Sequence, residues 1–356
     1  MTAKFSKQKE GIPNFEFDDT CQFESLIPLL LKARTELAEL KGYTSLFEAR
    51  EALLNPLYIN DASKTLASEG IDNNPELAFE NQLYSEGEQF EPYIGLLRVK
   101  DGLMINGLNA LQLNHSLMSI GSVLNGSAET TWFRKRDISL KKVSNHQLSI
   151  GIISSEIESA LAGLQSFLNK SNANVDPLIK ACVAYFNLEY IQPFGQNNSR
   201  LAKIYFNKLL VSMGLLKYPV LHLGEFVRST SENFVKVYKE VTHGPDWCPY
   251  LKFMLLSVAS AARKQRQILE KTLVLHRETQ HRMISKCEGA YSPELLDLIF
   301  IVPVLSPLRL SARLDIHYTT STRYLRRLTE EGILHNRQSG KYQLYINRNF
   351  IQLLGG

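Results

Sequence analysis

Residues 192–200 read QPFGQNNSR, and this short stretch decides how the centre of the chain is interpreted. Before it, residues 176–191 have helical periodicity and begin with Asp176, an N-cap residue, followed by Pro177 at the first helical position. After it, helical periodicity resumes at Ser199. The stretch therefore enters a helix N-terminus, where unpaired backbone N–H groups and the positive end of the helix dipole favour a phosphate group.

The stretch resembles HPFxDGNGR, the signature of the Fic family, which lies between two helices in proteins that transfer AMP from ATP. The resemblance extends along the chain, since bacterial Fic proteins have an N-terminal helical lobe, a flap and a C-terminal winged helix in the same order. The alternative interpretation is a plain Pro-Phe turn capped by Asn and Arg side chains. The positions that agree with the signature are Pro193, Phe194, Asn198 and Arg200, and those that depart are Gln192, Gln196, Asn197 and Ser199.

Two departures remove chemical groups that the reaction needs. In the family, the histidine takes the proton of the attacking hydroxyl, which requires a group that titrates near neutral pH. Gln192 stands at that catalytic position, and an amide can hold a hydroxyl by a hydrogen bond but cannot act as a base. The acidic residue of the signature binds Mg²⁺, a cation that favours carboxylates, and Gln196 offers only an amide oxygen. The resemblance thus implies ATP and Mg²⁺ as cofactors, with Mg²⁺ binding weakened.

The resemblance also implies a set of nucleotide-binding residues. Asn197 and Ser199 replace glycines that let the backbone approach phosphate; asparagine tolerates a left-handed conformation better than serine, so Ser199 is expected to narrow the cradle. Asn198 would join the anion hole, and Arg200 would contact the distal phosphates, where a planar guanidinium suits bidentate binding. The complete predicted set is Phe194, Gln196, Asn197, Asn198, Ser199 and Arg200.

An inhibitory motif is expected before the core. The segment from Thr65 to Glu69 and Gly70 resembles the family pattern [S/T]xxxE[G/N], which restrains some members from the N-terminal side. Glu69 would then compete with the γ-phosphate and pair with Lys203, the residue at the position of a family arginine, as a point charge without a bidentate fork. The alternative makes Glu69 an ordinary solvated residue beside a helix-ending glycine.

A flap is expected over residues 130–142, which are β-prone and follow the turn-forming pair Asn125-Gly126. In the family, the flap pairs strand to strand with an extended segment of the target protein. Trp132, Phe133 and Arg134 occupy that place here. The two aromatic residues fit a hydrophobic core equally well.

The C-terminal residues 291–356 predict a winged helix. Three helices, at 293–302, 309–316 and 320–331, precede two short strands around the turn Ser339-Gly340. In such a domain the third helix is the usual DNA reader, although the same composition fits a protein-docking or dimerising surface. The residues predicted to contact DNA are Arg323, Arg326, Arg327, Arg337 and Lys341.

These segments define the predicted fold class: a mainly α protein with a Fic helical core, a small β-hairpin flap and a C-terminal winged helix-turn-helix domain. The expected domains are a helical lobe over residues 1–100, the Fic core over 101–250, a connecting helix over 251–290 and the winged helix over 291–356. Helical periodicity in the lobe marks 24–41, 46–57 and 61–70.

Composition narrows the class further. The chain has 356 residues, of which 44% are hydrophobic and 21% charged, so a disordered chain is excluded. Its four cysteines show no paired spacing, and neither a disulfide framework nor a cysteine metal site is expected. Without a leader or a membrane-length apolar segment, the expected location is cytoplasmic.

The sequence supports two main functional hypotheses. The first is a Fic protein with a degenerate motif that binds an adenine nucleotide weakly, is catalytically impaired and has a regulatory role, with an unidentified target protein and a homodimer as family-based partners. The rival is a winged-helix regulator that binds duplex DNA and uses the Fic body as a sensor or scaffold. Residual AMP transfer, with Glu69 or water as base, is a third hypothesis.

Overall fold

Helices form most of the chain in a computed structural model, which confirms the predicted fold class. The described helices are α1 Phe23–Ser45, α2 Asn55–Ser68, α3 Pro75–Tyr84, α4 Leu113–Leu124, α5 Ile157–Asn169, α6 Pro177–Ile191, α7 Asn198–Ser212, α8 Gly224–Ser229, α9 Ser231–His243, α10 Cys248–Lys286, α11 Pro293–Ile301, α12 Pro307–Leu314, α13 Tyr318–Glu330 and α14 Arg348–Gly355. The strands are β1 Lys141–Val143, β2 His146–Leu148, β3 Val304–Leu305, β4 His335–Ser339 and β5 Tyr342–Ile346. The structure describes residues 23–47, 53–68, 75–84, 113–124, 132–138, 141–143, 146–148, 151–169, 175–229, 231–243 and 246–355, and the statements below concern those residues.

The chain divides into two compact units, each described by itself below. α1 and α10 contribute residues to both units. The predicted domain boundaries at residues 100, 250 and 290 stay predictions. The first unit consists of residues 1–36, 106–219 and 226–260, and the second of residues 37–105, 220–225 and 261–356.

α6 forms the centre of the first unit. It begins as predicted, because Asp176 Oδ1 accepts a hydrogen bond of 2.7 Å from the Leu178 N–H and Pro177 follows the cap. Apolar side chains surround the helix on all sides, and it is buried along nearly its whole length. At its C-terminal end Phe186 contacts a cluster of aromatic rings from α6, α9 and the segment that opens α10. The rings are Tyr190, Tyr238, Trp247 and Tyr250.

The second unit ends in the predicted winged helix. Side chains of Ser292 and Ser306 accept hydrogen bonds from the N-termini of α11 and α12, each followed by a proline, and these caps define where the helices begin. The sheet has the order β3-β5-β4 and is antiparallel, with Val304 opposite Ile346 and Ser339 opposite Tyr342. β3 and α14 were not expected from the sequence.

Two expected elements differ in position. α2 runs without a break through described parts of both predicted segments, 46–57 and 61–70; it starts at Asn55 and places Pro56 in its first turn, where its missing N–H costs nothing. The hairpin lies at β1 and β2, and residues 132–138 form no strand. The backbone N–H of Arg134 bonds to the carbonyl of Pro193 instead of a neighbouring strand.

None of the described helices is long and apolar enough to cross a membrane. The described cysteines, Cys182, Cys248 and Cys287, are buried and are not in disulfide bonds.

The first prediction concerns Lys208 on α7. Burial lowers the pKa of Lys208 to about 8, whereas an unfolded lysine titrates near pH 10.4. The unfolded chain therefore binds one more proton between these two values, so stability rises with pH across that window. Lys208→Met is expected to raise the thermal midpoint by about 2–4 °C at pH 7, with a smaller gain at pH 10. Lys252→Met, at a half-buried lysine of α10, controls for the lost charge, and an equal gain for both variants at both pH values would contradict the assignment.

Candidate functional site

The loop between α6 and α7 is closed by the side chain of Asn198, the first residue of α7. Its Oδ1 accepts a hydrogen bond of 2.9 Å from the Phe194 N–H, and its Nδ2 donates one of 2.7 Å to the Phe194 carbonyl. Asn198 is 5% exposed, so both bonds are shielded from water. These reciprocal bonds fix the turn in front of the helix N-terminus and use both polar atoms of the amide.

A left-handed residue ends α6. Gln192 has φ +47°, a conformation that costs a residue with a side chain about 1–2 kcal/mol. The Gln192 N–H still donates to the Leu188 carbonyl at 3.1 Å, as at many helix C-termini. Its own carbonyl accepts a bond of 2.8 Å from Arg134 Nε. The arginine therefore stabilises the turn that the glutamine backbone makes.

Arg134 is the anchor of this turn. Its side chain is 4% exposed, and its guanidinium also donates to the carbonyls of Ile152 and Ile191, while its backbone N–H donates to Pro193 at 2.9 Å. Burial lowers the pKa of Arg134, although a guanidinium remains charged in proteins. The Asp137 carboxylate forms an ion pair with Arg134, with 3.8 Å between Asp137 Oδ1 and Arg134 Nη1. A buried charge bonded to four backbone atoms fixes residue 134 against the loop.

The side chain of Gln192 is placed inside the protein. The residue is 4% exposed, and within the described part of the chain its Nε2 has no hydrogen-bond partner. A buried amide donor without a partner is costly, by about 1–3 kcal/mol, and a ligand with an acceptor atom would remove that cost. The position therefore presents a neutral donor where the family presents a base.

Phe194 is the apolar support of the loop. It is 2% exposed, and its ring lies 5.6 Å from the ring of Phe133, centroid to centroid. The Phe194 ring also contacts Gly121 of α4. A Cβ added at residue 121 would lie 2.7 Å from Phe194 Cζ. The absence of a side chain at residue 121 is thus what lets the ring sit under the loop.

Asn197 and Ser199 do not act alike. Asn197 has φ +62° and takes the left-handed conformation that a glycine would take, with its Nδ2 3.4 Å from the Leu124 carbonyl. Ser199 is inside α7, without a positive φ, so the expected backbone penalty for serine does not arise there. Its Oγ donates to Glu189 Oε2 at 3.0 Å. The expectation that Ser199 narrows the cradle finds no support in this arrangement, because its hydroxyl is directed to α6.

Glu189 was not singled out from the sequence, although it lies one turn before Gln192. It is 7% exposed, and besides Ser199 it accepts a hydrogen bond from Tyr185. Burial and the neighbouring Glu189 carboxylate raise the pKa of Tyr185. Glu189 thus links α6 to the first turn of α7. A carboxylate on a mostly apolar helix, three residues before the loop, was the signal that could have identified it.

Three further residues of the loop, Gly195, Gln196 and Arg200, are exposed or half-buried. Gly195 and Gln196 are exposed, and Arg200 is half-buried in the first turn of α7. Burial lowers the pKa of Arg200, which remains a cation. Among the described residues no group of three His, Cys, Asp or Glu side chains could hold a metal ion. Gln196 supplies an amide and Glu189 is already bonded, so the residues of the loop do not fit Mg²⁺.

The flap residues separate into two kinds. Trp132 is 73% exposed, so the core interpretation is wrong for this residue. Phe133 packs on Phe194 and Arg134 is buried, and both belong to the support of the loop. Of the three predicted flap residues, Trp132 is therefore the one that is available for contact with another molecule.

The inhibitory residues are placed only in part. Thr65 lies in the last turn of α2, in the second unit, and Lys203 lies half-buried on α7, in the first unit. Glu69 and Gly70 are outside the described residues, and the pairing of Glu69 with Lys203 stays a prediction.

The cations predicted to contact DNA differ in their surroundings. Arg323 and Arg326 on α13 and Lys341 on the β4–β5 turn are exposed. Arg327 donates to the Lys286 carbonyl at 2.6 Å and pairs with Glu331 at 3.2 Å. Arg337 pairs with Glu76 and Glu80 of α3. Two of the five residues, Arg327 and Arg337, are thus engaged in ion pairs with described residues of the chain.

The second prediction tests the support beneath the loop. Gly121→Ala would force the Phe194 ring from its position, and such overpacking costs about 1–3 kcal/mol, which exceeds the gain in helix propensity. We expect the free energy of unfolding in urea to fall by about 1–2 kcal/mol. Gly42→Ala is the matched control, because this helical glycine of α1 has nothing within 4 Å of an added Cβ, and it should stabilise. A Gly121→Ala protein as stable as the unmodified chain would contradict the packing described here.

Comparisons with known proteins agree with this geometry. Residues 111–210 match the profile of the Fic/DOC family, and this match includes α4, α6, α7 and the loop between them. Residues 275–350 match the family described as protein adenylyltransferase SoFic-like, C-terminal domain.

Solved structures of two Fic proteins are similar. A Fic family protein from Desulfovibrio desulfuricans G20 is 17% identical with a TM-score of 0.52, over 90% of this chain and 96% of that chain, which supports the fold. Fic-1 from C. elegans is 17% identical with a TM-score of 0.46, over 72% of this chain and 79% of that chain. The chain therefore contains a Fic/DOC family domain followed by a SoFic-like C-terminal domain.

Proposed function

We propose that the loop over residues 192–200 binds an adenine nucleotide and that AMP transfer is strongly impaired, so that the protein acts as a nucleotide-dependent regulator. The observation that carries the proposal is the buried amide of Gln192, with an unpartnered Nε2 within the described part of the chain, inside a loop that is otherwise built and anchored. A loop that no longer bound any nucleotide would be expected to lose the bonds from Asn198 and Arg134 that hold it in place.

Binding depends on groups that the chain retains. The first turn of α7 has backbone N–H groups without helical partners, and Arg200 lies in that same turn. These groups would hold phosphate oxygens, and the Gln192 amide could donate one further hydrogen bond. ATP, when bound, would supply the activated AMP group. The target protein would contact the exposed Trp132 beside the loop.

Transfer depends on groups that the chain lacks. A target hydroxyl must lose its proton as it attacks, and general-base help contributes about 10²–10⁴-fold to such a step. Gln192 can position the hydroxyl but cannot accept the proton. Glu189 does not replace the base, because it is bonded to Ser199 and Tyr185. Nucleotide binding and chemistry are therefore expected to be separable in this protein.

A second candidate function is duplex DNA binding by the C-terminal domain. The observation in its favour is that Arg323, Arg326 and Lys341 are exposed on α13 and the β4–β5 turn. Cations on the third helix and wing can neutralise phosphates.

The third prediction is that ATP binds without a metal requirement. In a thermal-shift titration the midpoint should rise with the logarithm of the ATP concentration above Kd, by the equivalent of about 2.7 kcal/mol at a hundredfold excess over Kd. The rise should be the same in EDTA and in Mg²⁺, because the loop does not fit the metal. Arg200→Ala should abolish it, whereas Arg323→Ala should leave it unchanged. An ATP shift that survives Arg200→Ala would place the nucleotide elsewhere.

The fourth prediction concerns repair of the chemistry. The unmodified protein, incubated with Mg²⁺ and ATP labelled on its α-phosphate, should label neither itself nor a lysate. Gln192→His, Gln196→Asp and Glu69→Gly together should restore labelling, because they supply a base, a metal ligand and release of the predicted inhibition. Adding Arg200→Ala to this triple variant is the control and should remove the label again. A triple variant that binds ATP and stays silent would show that the replaced residues are not the cause of impairment.

A further inference from the structure

Strand β4 of the C-terminal domain is bonded to α3 of the same unit. Arg337 Nη2 pairs with Glu80 Oε2, and the same nitrogen lies 3.4 Å from Glu76 Oε1. Ser339 Oγ donates to Glu80 Oε1 at 2.6 Å. Glu80 is 6% exposed. Both carboxylate oxygens of a buried acid are thus held by the wing, here defined as residues 335–346.

Helix α14 and α2 add to this contact. Arg348 Nε lies 4.0 Å from Glu76 Oε2. At the other end of α14, the Leu354 carbonyl accepts a buried hydrogen bond of 2.8 Å from Asn60 Nδ2 and one of 3.4 Å from Lys64 Nζ. The two helices that border the predicted inhibitory segment, α2 and α3, are therefore both attached to the C-terminal domain by polar bonds.

The occupied arginine has the chemistry of a phosphate ligand. A guanidinium binds carboxylates and phosphates through the same N–H donors, so a phosphate at Arg337 Nη2 competes with the two carboxylates at that nitrogen. Glu76 and Glu80 are one helical turn apart and present two negative charges to Arg337. The wing also carries Lys341, which is exposed. A nucleic acid that used the whole wing would have to displace α3 from Arg337.

We propose that the wing and α3 form a latch, closed by Glu76 and Glu80 and opened by duplex DNA. DNA phosphates take the place of the two carboxylates at Arg337, and α3 loses its attachment to the wing. By linkage, DNA binding and closure of the latch oppose each other, and a change that weakens the latch strengthens DNA binding by the factor by which the open population rises. The inference goes beyond nucleotide binding and rests on the second candidate function. The test of the latch uses no ATP, so a negative result there can be distinguished from failure of the proposed ATP binding.

The fifth prediction tests the latch by fluorescence anisotropy, with a fluorescein-labelled mixed-sequence DNA duplex and the full chain at one fixed salt concentration. Glu76→Gln with Glu80→Gln should bind the duplex about tenfold more tightly than the unmodified chain, within the usual range of coupling between sites. Glu288→Gln with Glu294→Gln is the matched control, since both residues are exposed and the change in net charge is identical. The control should tighten binding far less.

A second, milder variant keeps the test valid if the glutamine pair fails to fold, and it leaves the net charge unchanged. Ser339→Ala removes one bond to Glu80, and it should tighten DNA binding in the same direction by a smaller factor. In the unmodified protein, saturating duplex should speed amide hydrogen exchange in α3, as reciprocity requires. Equal tightening in the two glutamine pairs, no duplex binding by any variant, or unchanged α3 exchange with DNA bound would each overturn the latch.

Discussion

The left-handed turn at Gln192, held by the buried guanidinium of Arg134, is the constraint on which the site depends. A residue with a side chain adopts φ +47° there at a cost of about 1–2 kcal/mol, and a charge-assisted bond to its carbonyl is of comparable strength. The turn stops α6 and sends the chain into Pro193. Asn198 then closes the loop onto Phe194, so that α7 begins with its N–H groups at the loop. Without the turn, the helix N-terminus would have no defined partner surface.

Support and chemistry reside in different atoms of the same residues. Gln192 contributes its backbone to the turn and its side chain to the centre of the site, and only the side chain differs in chemical class from the family histidine. Asn198 contributes its side chain to the loop and leaves its backbone for a ligand. Replacement of a base by an amide therefore leaves the architecture unaffected. Under the proposed function, this separation would let the chain keep a nucleotide-binding loop while AMP transfer is impaired.

Sequence patterns predicted the features that depend on neighbouring residues. The Asp176-Pro177 cap, α6, α7, the long helix α10 and the three helices of the winged domain were all anticipated, because caps and helical periodicity are local properties. The left-handed conformation at Asn197 was likewise anticipated from the glycine that it replaces in the signature.

Features that depend on distant residues could not be predicted in this way. Gly121 matters because of a ring 73 positions later, and Arg134 matters because of carbonyls near residues 152 and 191. The contact of Arg337 with Glu80 joins residues 257 positions apart and contains no local pattern. For the same reason, residues 130–142 were expected to form a hairpin, whereas their use of Pro193 as a bonding partner became visible only in three dimensions.

The most direct test of the account is a crystal structure of the full chain with a non-hydrolysable ATP analogue. The account predicts phosphate oxygens at the N-terminus of α7 and at Arg200, with the bonds from Arg134 to Gln192 and from Asn198 to Phe194 unchanged. A nucleotide bound away from this helix terminus, or a loop in which Arg134 has left the Gln192 turn, would contradict it.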